Sequence, residues 1–221
     1  MLRKYYELLN LDATIAKSLF ESVEYPWEVL PLIKGYIVEV IPTLGSEYKE
    51  ISENVFAHES VKIADTASIS GPTIVGKGTE IRPGAFIRGS VIIGENCVIG
   101  NSTEVKNAII FNNCQCPHYN YVGDSILGEY AHTGAGVILS NFKSDGSNIK
   151  VRDNDKVIET GLRKFGAILG NHADIGCNSV LFPGTIIGQN TNVYPLTRVR
   201  GTVGSNKIVK DVDNIVEKEE R

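Results

Sequence analysis

The chain has 221 residues, 42% hydrophobic and 22% charged, with a formal net charge of -4 at pH 7. This composition suits a soluble globular protein of one main domain and excludes a general electrostatic attraction to nucleic acid or to an anionic membrane. No apolar run approaches the ~18 residues of a membrane span, the first residues lack the apolar core of a secretory leader, and the four cysteines (Cys97, Cys114, Cys116, Cys177) show no disulfide spacing, so free thiols in a reducing cytoplasm are expected.

Residues 1–50 read as an N-terminal helical cap and linker. Leu2, Tyr5, Tyr6, Leu8 and Leu9 fall near a 3.6-residue period, as do Ile15, Leu19 and Phe20. Asp12 offers a helix cap, and Tyr25-Pro26-Trp27-Glu28 opens a further segment. Pro31 marks a kink or the true start of that segment, and Pro42 ends it. Such a unit is expected to pack on the end of something larger.

From Ile63 the period changes to six. Aliphatic residues stand at Ile63, Ile69, Val75, Ile81, Ile87, Ile93, Ile99 and Val105, with Gly76, Gly94 and Gly100 one position on. A helix would need 3.6 and a half-buried strand 2, whereas a period of six suits a solenoid of short strands and turns around a narrow core. After Val105 the inward positions become Ile110, Cys116, Val122, Leu127, Thr133 and Leu139, with two steps of five. A polar insertion at 140–165 then breaks the pattern, with a hairpin-like centre at Ile149-Lys150-Val151 and Val157-Ile158. Long excursions from a regular scaffold commonly carry function. The hexads resume at Leu169, Ile175, Leu181, Ile187, Val193 and Val199. The expected division is a solenoid over 51–205 and a Lys/Glu-rich tail over 206–221, helical or frayed. The irregular stretch Glu104–Asn141 gathers His118, His132, Lys106, Tyr121 and Asn141, and is the expected site. Cys114 and Cys116, with no second cysteine pair, are expected to pack in the core rather than hold a metal.

The hexads resemble those of the hexapeptide-repeat acyltransferases, whose fold is a left-handed parallel β-helix. The resemblance implies an all-β main domain, a triangular prism of about six or seven turns, and a homotrimer with sites between neighbouring prisms. Four motifs, Glu104-Val-Lys-Asn, His118-Tyr-Asn-Tyr-Val-Gly-Asp, the Gly128–Gly136 stretch with Ser140-Asn141, and Ile81-Arg-Pro-Gly-Ala, are similar to one branch of that superfamily. It is the acetyltransferase domain of bifunctional glucosamine-1-phosphate N-acetyltransferase/N-acetylglucosamine-1-phosphate uridyltransferase. The uridyltransferase domain is not matched, because residues 1–62 hold no Gly-rich nucleotide loop.

That resemblance implies His118 as general base, taking a proton from the sugar amine, with Glu104 orienting it. It implies Arg82, Lys106 and Tyr121 on the sugar phosphate, Asn141 on the sugar, and His132 where the family has a further sugar-contacting Asn. Lys150 is expected as a second phosphate lysine, with Lys164 next. Cys177 stands where relatives have a Ser near acetyl-CoA, and Ala135 and Lys164 complete the cofactor side. Acetyl-CoA is the implied co-substrate, no metal is needed for the transfer, and the product belongs to UDP-N-acetylglucosamine synthesis. Two other readings are a zinc-dependent β-helix carbonic anhydrase using His118, His132 and His172, and a non-catalytic assembly or regulatory β-helix related to sugar nucleotidyltransferases.

Overall fold

The computed structural model describes residues 7–153 and 155–219, so Leu2, Tyr5 and Tyr6 of the first expected helix lie outside the described residues. The hexads are short strands, three to a turn, stacked in parallel on three faces. Face 1 carries Val55–His58, Thr73–Val75, Val91–Ile93, 108–110, 125–127, Ala167–Leu169, Thr185–Ile187 and Thr202–Val203. Face 2 runs from Lys62–Ile63 through Gln115–His118 and His132–Thr133 to Lys207–Asp211. Face 3 runs from Ser68–Ile69 through 104–105, 121–122 and Ile138–Leu139 to Arg198–Val199. Eight strands stack on face 1, more than the six or seven turns expected, because the winding begins at Val55, ahead of the first regular hexad.

The repeating aliphatics point inward. Val75, Ile81, Ile87, Ile93, Ile99, Val105, Ile110, Val122, Leu127 and Leu139 are buried, as are Leu169 through Val199 at the same spacing. Each such side chain contributes about 1.5–3 kcal/mol on leaving water. Cys114 and Cys116 are free thiols in this core, and burial pushes Cys116 up to about 12.

The chain turns between faces at single residues with positive φ, and these stack into three corner columns. Asn96, Asn113, Asn190 and Asn206 occupy the first, because Asn tolerates the left-handed region at low cost. The two five-residue steps both fall on the third corner, between faces 3 and 1. There Asn107 (φ 45°) and Asp124 (φ 47°) make the whole turn, so that Glu104–Ile110 and Tyr121–Leu127 each run across two faces.

Face 1 is covered. The outward residues of its central strands, Ile92, Ile109, Ile126 and Ile168, are fully buried. Among the described residues two helices, α1 (Lys17–Glu21) and α2 (Ile33–Val40), lie over it with the short 3-10 turns Leu11–Ala13, Pro26–Val29 and Ile41–Thr43. Helix α2 packs on Val91–Ile93 and Glu104–Ile110, and Phe20 meets Phe111 edge-on at 5.6 Å. Backbone N–H groups of Asn112 and Asn171 donate to the carbonyls of Ala13 and Leu8. The N-terminal segment thus clads one side of the prism rather than capping its end, a correction forced by the apolar outer surface of face 1. Asp12 does not cap a helix; its own N–H is bound by the Asn10 side chain. The ends are closed by antiparallel pairs, Tyr48–Ser52 with Val55–His58 and Lys207–Asp211 with Asn214–Glu217. The second pair replaces the helical or frayed tail expected there, because Val209 continues the hexad spacing six residues after Val203 and is buried. No helix among the described residues is long and apolar enough to cross a membrane.

The insertion leaves face 3 after Ile138–Leu139 and rejoins face 1 at Ala167. Its hairpin forms as expected, Lys150–Asp153 against Lys156–Glu159. Ile149, Val151 and Phe165 are fully buried, and Trp27 approaches the Phe165 ring at 6.1 Å. The hairpin rests on the third corner at Gly184, where φ is +80° and a Cβ would lie 2.7 Å from Ile149 Cγ2.

Candidate active site

The third corner holds a polar cluster centred on a residue that sequence reasoning did not single out. Asp124, 5% exposed, accepts from Asn107 Nδ2 at 2.9 Å, Lys106 Nζ at 3.3 Å and Asn141 Nδ2 at 2.5 Å. The same Asn141 amide donates to Tyr121 Oη at 3.1 Å, which leaves the phenolic proton available to a ligand. Burial, with Asp124 nearby, raises the Tyr121 phenol above its ordinary value of 10.0, so it stays a donor at neutral pH. A buried carboxylate needs such partners, since an unpaired one is costly. The insertion is tied to the same point: Phe165 N–H donates to Asn141 O and Gly166 N–H to Asp124 O. Lys106, Tyr121 and Asn141 are therefore brought together, although the positive charge of Lys106 is already met by Asp124.

The second corner, between faces 2 and 3, holds His118, Ala135 and Cys177 on successive turns. Gly136 N–H donates to His118 O at 3.0 Å and Asn178 N–H to Ala135 O at 2.8 Å, which fixes the stacking. His118 and Cys177 are exposed and Ala135 is partly so. Among the described residues the Ala135 N–H donates to no protein acceptor.

The remaining expected residues are distributed differently. Glu104 starts a strand on face 3 beside Tyr121, and its carboxylate is held by Arg88 Nη1 at 2.7 Å rather than standing on His118. That contact raises the Arg88 guanidinium above its ordinary value. Arg82 directly follows the face-2 strand Glu80–Ile81, two turns below the His118 strand, and pairs with Glu80 at 3.3 Å. His132 lies on face 2, where Nδ1 is 2.7 Å from Asp174 Oδ1, and Asn192 Nδ2 donates to the other oxygen. The His132 contact holds the Asp174 carboxyl below its ordinary value. Lys150, on the hairpin, pairs with Glu159 at 2.5 Å, and Lys164 is exposed on the return of the insertion. His118, His132 and His172 sit on the second corner, on face 2 and on the first corner, and no group of three metal-ligating side chains is found among the described residues.

A family model described as "EIF2B subunit epsilon LbH domain" matches residues 52–157. A bifunctional sugar-1-phosphate nucleotidylyltransferase/acetyltransferase of Sulfurisphaera tokodaii is 38% identical over 49% of this chain and 27% of its own length. A bifunctional protein GlmU of Methanococcus maripaludis is 31% identical over 97% of this chain and 53% of its own length. The chain thus spans about half, or less, of these curated relatives. The uncharacterized acetyltransferase YaiX of Escherichia coli O6:K15:H31 is 30% identical over 84% of this chain and 86% of its own length. Together with the parallel prism and the hexads that build it, this places the chain in the hexapeptide-repeat, left-handed β-helix acyltransferase superfamily.

Proposed function

We propose that the chain transfers the acetyl group of acetyl-CoA to the amine of an amino-sugar 1-phosphate, glucosamine-1-phosphate or a close relative, with His118 as general base. The column His118–Ala135–Cys177 carries this reading: an exposed imidazole one turn below an amide N–H with no protein acceptor. A sugar ammonium must lose a proton before its nitrogen can attack a thioester, and imidazole takes one near neutral pH. The Ala135 N–H would meet the thioester oxygen as negative charge develops on it. Exposed Tyr194 and Leu196 continue the same corner beyond Cys177 and offer apolar surface to the pantetheine arm. Tyr121 and Asn141 would hold the sugar end of the acceptor and Lys106 its phosphate, with Arg82, Lys150 and Lys164 as further cations. The free cysteines fit a reducing cytoplasm.

His118 and Asp124 stand at opposite edges of face 3, ~20 Å apart along an extended chain. In a homotrimer, the second corner of one prism against the third corner of the next would bring both to one acceptor, with the Arg88–Glu104 pair at the seam. The test is the mass of the product after incubation with acetyl-CoA and glucosamine-1-phosphate or galactosamine-1-phosphate. Acetyl incorporated into neither sugar would remove this reading.

One observation favours a second reading, a non-catalytic β-helix of an assembly. The charges of Lys106 and Glu104 are already answered within the chain, by Asp124 and Arg88. It requires that the folded protein show no transfer and that His118→Ala change nothing.

A further inference from the structure

Asp124 lies beneath the surface of the third corner, while Tyr121 and Asn141 beside it are partly exposed. We propose that Asp124 is a positioning residue: by fixing which way the Asn141 amide faces, it makes Tyr121 and Asn141 a matched donor and acceptor for one hydroxyl of a ligand. The inference rests on the proposed acetyl transfer only for the identity of that ligand, the acceptor sugar.

The amide comes first. The nitrogen and oxygen of an Asn side chain exchange places by a half turn, and the neighbours decide between them. A carboxylate accepts hydrogen bonds and donates none. An Asn141 oxygen turned toward Asp124 would meet a carboxylate oxygen at 2.5 Å, two acceptors in contact, so the nitrogen must stand there. Asp124 itself is anchored: Asn107 Nδ2 holds its other oxygen at 2.9 Å, and Lys106 Nζ lies 3.3 Å from the oxygen that Asn141 meets.

The phenol follows. With one amide proton on Asp124, the second lies toward Tyr121 Oη at 3.1 Å. The phenolic oxygen is then an acceptor within the chain, and its own proton is left for a ligand. Both amide protons of Asn141 are spent, and among the described residues no group donates to its Oδ1. The pair therefore offers one O–H donor beside one oxygen acceptor. A ligand hydroxyl can accept from the first and donate to the second. An ionised phosphate or a carbonyl only accepts, and an ammonium only donates. The charge of Lys106 is met by Asp124, so the cluster presents hydrogen-bond polarity rather than net charge.

The backbone makes the role testable. Asp124 turns the corner with φ 47°, a region that Asp and Asn both tolerate. Asp124→Asn thus alters the polarity and little of the shape.

The experiment compares the full chain with Asp124→Asn, with Tyr121→Phe and with the exchanged pair Asp124→Asn/Asn141→Asp. In the exchanged pair the new amide can donate to the new carboxylate while its oxygen receives Asn107. Tyr121 must then give its proton to the carboxylate at 141, and no donor is left for a ligand. Thermal unfolding should therefore show stability returning toward the parent, whereas acceptor binding does not return. Initial rates with acetyl-CoA and glucosamine-1-phosphate should show acceptor KM raised about tenfold in every variant, the worth of about one hydrogen bond. The rate at saturation and KM for acetyl-CoA should stay near the parent values. Exchange of the Asn141 side-chain amide into deuterium, followed by nitrogen-15 NMR, reads the geometry without turnover. Its signal is the one missing from the exchanged pair, and Asp124→Asn should quicken its exchange at least tenfold. Should Asp124→Asn fail to fold, the exchanged pair and Tyr121→Phe carry the same test. An amide that exchanges equally fast in parent and Asp124→Asn, an acceptor KM unmoved in the folded variants, or an exchanged pair whose acceptor KM returns with its stability would each overturn the inference. A folded parent that moves no acetyl group would remove the transfer reading instead, and the amide exchange would still decide the inference.

Discussion

The side-chain amide of Asn141 donates to the buried carboxylate of Asp124 at 2.5 Å, and so fastens the start of the insertion to the shortened third corner. Lys106 and Asn107 reach the same carboxylate from the turn below. Removing it strands one ammonium and two amides together. Asp124→Ala should therefore cost about 2–4 kcal/mol, and Asp124→Asn, which keeps the shape and loses the charge, about 1–2 kcal/mol. Urea unfolding monitored by circular dichroism measures both, and equal losses would show that the charge is irrelevant.

The N-terminal segment is integral to the prism rather than an appendage. Ile109, outward on face 1 yet fully buried, should lose about 2–4 kcal/mol on change to Ala. Trp27, 2% exposed and in ring contact with Tyr25 and Phe165, should lose about 3–5 kcal/mol. A single cooperative transition, shifted by either change, is expected; a separate early transition for the helices would contradict it.

This cladding was legible in the sequence but was not read there. Outside face 1, the residue before each inward aliphatic is mostly polar or variable. On face 1 it is apolar in every central strand: Ile92, Ile109, Ile126, Ile168 and Ile186. Such triplets mean a strand covered on both sides. The solenoid itself was readable because a six-residue period has few competing explanations. The Asp124 hub was not, because its partners lie 17 or 18 residues away, one turn apart, and only the winding brings them together. Arg88 was missed for the same reason, and it displaces the expected link between Glu104 and His118.

Gly184 is irreplaceable for two reasons that act together, a φ of +80° and the approach of Ile149 to where a Cβ would stand. Gly184→Ala should cost about 1–3 kcal/mol from strain alone and lift the insertion hairpin. Amide exchange at Lys150–Asp153 should quicken while exchange at Val91–Ile93 stays unchanged; uniform change throughout would contradict this.

The His132–Asp174 pair gives a pH test. The folded carboxyl lies below its ordinary 3.8, chiefly through its hydrogen bond with His132. Its contribution to stability is therefore complete above 3.8 and fades as pH falls through the folded value. Both side chains are about half exposed, so the effect should not exceed about 1 kcal/mol. Asp174→Asn should flatten the acid side of the stability profile below pH 3.8 by that amount, and a steeper profile in the variant would contradict the assignment.

The most direct test of the acetyl-transfer account is the rate of CoA thiol release from acetyl-CoA with glucosamine-1-phosphate or galactosamine-1-phosphate, for the parent chain beside His118→Ala. His118 is exposed, so the variant should fold as the parent does. Loss of a general base should lower the rate by about 10²–10⁴-fold, with little change in acceptor KM. Parent and variant releasing thiol at the same rate, whether fast or at the uncatalysed background, would contradict the account.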